Sequence, residues 1–200
     1  MSKNIHISVG LTGLIGSGKS EVANYLKRTG FPVLFMDQVG HDCLEDDKVV
    51  QTLVNSFGSM ILDEANQINR KELSTIVFND HIKLRQLNTL LHPKMNQRAK
   101  DWIQNNFQKG QGIVFIEAAI LFKMKMNKFL DYTVLIKAAE KDIINRIIER
   151  DHKSEAEILQ ILETQKANED KVDFVIINDN SLEELYRKCD QLINSLVAKL

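Results

Sequence analysis

Gly13-Leu14-Ile15-Gly16-Ser17-Gly18-Lys19-Ser20 stands near the start of a 200-residue chain and fits the pattern G-x-x-x-x-G-K-[ST] at every fixed position. The apolar run at residues 5–9 before it reads as a strand, and residues 21–28 after it read as a helix. In that setting each fixed residue has a task. Glycines let backbone N–H groups converge on phosphate oxygens, and the following helix N-terminus adds partial positive charge. Lys19 can reach the β- and γ-phosphates of a nucleotide, and the Ser20 hydroxyl can ligate Mg²⁺. The stretch from Gly13 through Leu14, Ile15, Gly16, Ser17, Gly18, Lys19 and Ser20 is therefore the candidate site for a nucleoside triphosphate, with Glu21 next to it as a further candidate. A glycine-rich turn with a surface lysine is the plain alternative, and it leaves the strand-loop-helix context unexplained.

Moving outward, four more short apolar runs follow, at residues 32–35, 113–116, 132–136 and 174–177. They are continuous rather than alternating, as strands buried on both faces are. Helix-period stretches fill the gaps between them. Two carry capping boxes at their starts, Ser154 with Glu157 and Ser181 with Glu184. The pattern predicts an α/β fold of the P-loop NTPase type: a five-stranded parallel sheet flanked by helices. Between the second and third runs lies far more chain than one crossover needs. Residues 71–78 and 82–107 are helix-like there except at Pro93, so a helical substrate-binding insertion is expected over about 60–110. A helical lid is expected over about 140–170, the whole making one P-loop domain over 1–200.

Composition narrows the class. Hydrophobic residues make up 44% and charged residues 26%, which excludes wholesale disorder. The net charge of −1 argues against binding nucleic acid through bulk electrostatics, although a local basic pocket for a phosphorylated small molecule is compatible with it. Cys43 and Cys189 have neither metal-ligand nor C-x-x-C spacing and read as reduced thiols. The first ten residues lack the apolar core of a signal peptide, and no apolar run is long enough to span a membrane. A cytoplasmic protein with no membrane partner is expected.

A guanine-nucleotide switch would need N-K-x-D for its base, and Asn168-Glu169-Asp170-Lys171 has the wrong order. A small-molecule kinase needs a phosphate loop, an acceptor site, a base and a cover that excludes water. Asp37 follows the second run and Glu117 ends the third, where ligands of doubly wound sheets sit. One of the two carboxylates can accept the acceptor proton while the other organises metal-bound water. Arg146 and Arg150 lie one helical turn apart and can clamp phosphates, or simply pair with Glu149 and Asp151. Lys83, Arg85, Lys94, Arg98 and Lys100 place positive charge on the insertion.

Several stretches, in order, resemble the dephospho-coenzyme A kinase family. Val9 to Ser20 resembles its G-L-T-G-G-I-G-S-G-K-S opening. Residues 33–41 match V-x-D-A-D-x-x-A-[RH] with Asp37 on the second aspartate, and Leu87-Asn88-Thr89-Leu90-Leu91-His92-Pro93 matches L-N-x-L-x-H-P. Residues 117–122 are similar to D-x-P-L-L-F, residues 146–151 match R-x-x-x-R-D with Gln165 beyond, and residues 173–178 resemble D-x-V-I-x-N. Four departures stand out. Phe35 replaces the first aspartate of the pair, Ala119 a proline, Lys123 a glutamate and Glu21 a threonine. The segment from Asn168 to Val172, which holds Lys171, is also shorter than the family's E-E-K segment.

The resemblance implies ATP-dependent phosphorylation of the ribose 3′-hydroxyl of dephospho-coenzyme A, the last step of coenzyme A synthesis, with Mg²⁺ as cofactor. Carried over by position, Asp37, Lys19 and Arg146 are catalytic. Arg146 and Asn178 join the loop in binding ATP, and Ser20 holds the metal. Asp37, His41, Leu90, His92 and Glu117 bind the acceptor. ATP and dephospho-coenzyme A are the expected partners, with a monomer or weak homo-oligomer. Two readings compete: another small P-loop kinase acting on a nucleoside, nucleotide or shikimate-like acceptor, and a non-catalytic ATP-sensing module.

Overall fold

The computed structural model describes residues 6–78, 80–152, 154–165 and 172–200. Asn168-Glu169-Asp170-Lys171, singled out in the sequence, lies outside the described residues. The chain divides into two compact units. One joins the residues up to Phe35 with Asp101–Leu200, and the other is Met36–Lys100.

The first unit holds a five-stranded sheet in the order β2-β3-β1-β4-β5, with every pairing parallel. Its strands are β1 (Ile7–Thr12), β2 (Val33–Phe35), β3 (Ile113–Glu117), β4 (Tyr132–Lys137) and β5 (Phe174–Ile177). All five apolar runs became strands. The first extends past the expected residue 9, because Gly10, Leu11 and Thr12 go on pairing with β4.

Every residue of β1 and β3 is buried, as continuous apolar runs predict. On one face Val9 and Leu11 pack in a cluster with Val22 and Leu26 of α1 (Lys19–Arg28) and with Leu185 and Leu192 of α8 (Leu182–Val197). On the other face Gly10 is needed for space: a Cβ there would collide with the side chains of Leu121 and Leu130. Outermost β5 is only partly covered, with Val175 and Ile177 exposed.

Two aspartates set the register at the N-terminal edge of the sheet. Asp131, just before β4, accepts from the Ser8 backbone N–H (2.8 Å) and hydroxyl (2.6 Å), while its own N–H donates to the Ser8 carbonyl (3.0 Å). One strand further out Asp173, just before β5, repeats this with Thr133 at 2.7, 2.9 and 3.0 Å.

Helices α6 (Glu140–Asp151) and α7 (Glu155–Gln165) share a small core of Ile143, Ile147, Ile158 and Leu162. The capping box at Ser154 forms in both directions: its N–H donates to Glu157 (2.9 Å), and its hydroxyl accepts from the Glu157 N–H (3.4 Å). At α8 half of the box forms. Ser181 accepts from the Glu184 N–H (3.3 Å), while the Glu184 carboxylate turns to Arg187.

The second unit is helical: α2 (Met36–Leu44), α3 (Asp47–Phe57), α4 (Arg70–Phe78) and α5 (His81–Gln108), the last running on into the first unit. It takes in α2 and α3, which lie before the 60–110 stretch marked from the sequence. Three of its helices are capped by acidic or amide side chains. Asp46 accepts from the N–H groups of Lys48 and Val49, Asn69 from Lys71 and Glu72, and Asp80 from Ile82 and Lys83. Val39, Cys43, Val49, Leu53, Phe57, Ile61, Leu73 and Val77 are buried. The expectation of a helix interrupted at Pro93 is corrected, because α5 passes straight through it. A proline removes one N–H of a ladder, a loss of about 3 kcal/mol that a 28-residue helix with buried Leu91 and Ala99 on either side can absorb.

Asn66 adopts a left-handed φ of 59° in a tight turn. There the Asp63 carboxylate accepts from the N–H groups of Ala65 (2.9 Å) and Gln67 (2.9 Å).

Candidate active site

The chain leaves β1 at Thr12 and enters the glycine-rich loop, and β3 ends beside it at Glu117. Because β1 sits between β3 and β4, its C-terminal end borders the point where connections diverge to opposite sides of the sheet. A crevice opens at such a point in doubly wound folds. Glu117 pairs in register with Leu11 on one side and Phe35 on the other.

The loop is held by backbone geometry that only glycine adopts readily. Gly16 has a φ of 77° and Gly18 of 94°. A Cβ on Gly18 would strike the Asn178 amide, and one on Gly16 would press on the Ile143 carbonyl and Ile147 of α6 at 3.1 Å. Two side chains take up loop carbonyls. Asn178, buried, donates to the Ser17 carbonyl (2.9 Å), and Arg146 donates to the Gly16 carbonyl (3.2 Å). Trans peptide planarity then turns the Gly18 N–H away from Asn178. Leu14 and Ile15 pack on the α6–α7 core, so loop and helix pair are one assembly.

Lys19 opens α1 and is buried, with its ammonium paired to the buried Glu117 carboxylate. Ser20 follows it, exposed, and the Ser17 hydroxyl is buried with no hydrogen-bond partner among the described residues. Glu21 accepts from the Tyr186 hydroxyl (2.5 Å) and from Arg28 (3.2 Å), and the Tyr186 bond chiefly holds its carboxyl below the usual range. Arg150 grips Asp151 through two bonds of 2.7 and 2.8 Å, whereas Arg146 turns to the loop.

The remaining candidates belong to the helical unit. Asp37 is exposed in the first turn of α2, two residues along the chain from the end of β2. His41, one turn on, lines a cavity of about 1060 Å³ together with Gln38, Asp47, Asp63, Arg70 and Lys71. Leu90 lines a smaller groove of about 450 Å³ with Leu53, Phe57, Ile82 and Arg85. His92 is half-buried, and loss of solvent lowers its pKa. Of the lysines marked on the insertion, Lys83 lies 3.8 Å from Asp80 and Lys94 4.0 Å from Asp46, so both lie beside helix caps. Arg70 and Lys71 on the cavity wall were missed. The signal was present in the polar run 63–71, whose Asn and Asp turn chemistry folds it back beside α2 and α3.

The dephospho-CoA kinase family model matches residues 7–184. A dephospho-CoA kinase of Fusobacterium nucleatum is 34% identical over 191 residues, covering 94% of this chain and 97% of that protein. The crystal structure of a Thermus thermophilus protein superposes with a TM-score of 0.79 at 28% identity, covering 96% and 98% of the two chains. The dephospho-CoA kinase from Campylobacter jejuni, 24% identical, shares the fold with a TM-score of 0.72 over 94% and 96%.

Proposed function

The chain belongs to the dephospho-CoA kinase family, and from that premise we propose how its residues divide the reaction. The family catalyses the ATP-dependent last step of coenzyme A synthesis. The bond between the γ-phosphorus of ATP and the β,γ-bridging oxygen breaks, a bond forms between that phosphorus and the ribose 3′-oxygen of dephospho-coenzyme A, and ADP leaves with the bridging oxygen.

The loop from Gly13 to Ser20 holds the phosphates through its amides and the Lys19 ammonium. Asn178 acts on the nucleotide through the Ser17 peptide it fixes, and Arg146, anchored on the Gly16 carbonyl, meets charge that develops on the transferred group. No three His, Cys, Asp or Glu side chains cluster to hold a metal among the described residues. Ser20, beside the phosphate loop, would hold Mg²⁺, and the ion would neutralise the charge of the nucleotide phosphates. Asp37 accepts the 3′-hydroxyl proton and orients the oxygen for in-line attack.

The acceptor binds to the helical unit. Arg70 and Lys71, with His41, are the groups that would meet an anionic pyrophosphate on a polar cavity that Glu45, Asp47 and Asp63 also line, and Leu90 on the smaller groove suits a less polar arm. The half-buried His92 shapes that unit. We place the enzyme in the cytoplasm as a monomer or weak homo-oligomer.

The observation that carries this reading is the buried Lys19 ammonium at the meeting of the glycine loop and the end of β3. ADP release measured with a panel of acceptors tests it. Turnover confined to dephospho-coenzyme A is expected. Turnover with nucleosides or shikimate alone would reassign the acceptor, and none at all would leave an ATP sensor.

A further inference from the structure

Lys19 and Glu117 form a closed pair. Lys19 is 8% exposed and Glu117 3%. Among the described residues the ammonium is the only hydrogen-bonding partner of the Glu117 carboxylate. A carboxylate so deep in the sheet, with Leu11 and Phe35 as its strand neighbours, depends on that single cation.

We propose that Glu117 is the resident counter-ion of Lys19 in the nucleotide-free enzyme, and that nucleotide phosphate displaces it. The inference rests on the reading of the loop as the nucleotide site. Lys19 carries one positive charge, and a polyphosphate brought to it sets a second anion beside Glu117. Like charges in a water-poor site repel, so the two anions compete for the one ammonium. The Ser17 hydroxyl supplies a second observation. It is 1% exposed and has no hydrogen-bond partner among the described residues, an unusual state for a buried hydroxyl. The same loop thus holds a buried donor without an acceptor and a cation whose acceptor is borrowed from the sheet. Both are completed by one ligand oxygen cluster.

Two consequences follow. Nucleotide affinity is set below what the loop could reach, because binding must break the pair. The Glu117 carboxylate also becomes available to a new donor only once a nucleotide has arrived, which keeps its charge compensated at every other time.

Glu117→Gln tests this, because glutamine keeps the shape and a hydrogen-bond acceptor but removes the competing charge. Calorimetric titration of ADP and ATP, carried out in EDTA so that no metal contributes, should show binding roughly tenfold tighter than wild type, which is about 1.4 kcal/mol. Glu117→Asp, which withdraws the carboxylate by one methylene, should shift affinity the same way by a smaller factor and covers the case in which the glutamine variant does not fold. Unchanged or weaker binding in the folded variants overturns the proposal, since a purely structural or catalytic Glu117 would not restrain affinity. Lys19→Met separates the two levels of the argument. If it binds nucleotide as wild type does, the loop reading itself fails. If it loses binding while the Glu117 variants gain none, only the counter-ion role fails.

Discussion

The residues around the glycine loop and those of the helical unit are held in opposite ways. Lys19, Glu117, Ser17 and Asn178 are buried, and three of them are bonded to one another or to the loop backbone. Asp37 and His41 are exposed on one face of α2, and His92 and Leu90 are half-buried on α5. A site whose ligand is a compact polyanion can be pre-formed by backbone and a few buried charges. A site whose ligand is long and chemically mixed relies on exposed side chains spread over several helices. The contrast is between preorganisation and reach, and each substitution below presses on one side of it.

The largest effect is expected from Asp37→Asn. If Asp37 is the base, kcat with saturating acceptor falls by about 10² to 10⁴-fold, roughly 3 to 5 kcal/mol of barrier, while calorimetric ATP affinity barely changes. Near-normal kcat would move proton transfer to another group, with Glu117 first in line. Lys19→Met comes next and strikes the preorganised side. It strands a buried carboxylate, and chemical denaturation should show a loss of about 3 kcal/mol, largely recovered when Glu117→Leu is added. No recovery in the double variant would mean that the pair does not behave as an isolated unit.

Asn178→Ala leaves the Ser17 carbonyl without its partner. A loss of about 1 to 3 kcal/mol in stability and a raised KM for ATP are expected, with KM for dephospho-coenzyme A unchanged. If both KM values rose together, the two sites would not be as separable as their construction suggests. Asn66→Ala asks whether the polar cavity wall depends on its turn. Alanine tolerates a φ of 59° less well than asparagine, so about 1 kcal/mol of stability should be lost, with nucleotide binding intact.

The smallest effect concerns pH. Burial lowers the His92 pKa, so the unfolded chain takes up a proton before the folded one does. Stability should therefore decline as pH falls through the ordinary histidine range, near 6.5, and stop declining below the folded pKa. His92→Gln should flatten that part of a stability-against-pH curve. An identical slope in the variant would assign the decline to another group.

Much of the sheet unit could be read in advance because its signals are local. Five apolar runs marked five strands, and the glycine loop announced itself by spacing. The Lys19–Glu117 pair could not be read, since it joins residues 98 apart in the chain through strand order alone. The helical unit was read less completely. α2 and α3 went unmarked although Asp46 stands as a cap before one of them, and Pro93 suggested a break that packing overrode. Arg70 and Lys71 reach the cavity only because the turn at Asp63 folds their segment back. Which exposed side chains face a ligand is a matter of tertiary arrangement, which spacing along the chain does not encode.

The paired aspartates at the far edge of the sheet have a consequence for how this chain can change in evolution. Asp131 and Asp173 fasten neighbouring strands to a common datum line at one end, and the chemistry is delivered at the other end after a fixed count of residues. Between Ser8 and Gly13 that count works as a gauge block. One residue added inside β1 would push the glycine loop about 3.3 Å forward and turn each following side chain to the opposite face. The same addition in the segment 118–130, ahead of Asp131, falls before the zero mark and leaves the spacing within β4 unaltered. Length variation should be purged from the strands, where it would shift every later residue against that line.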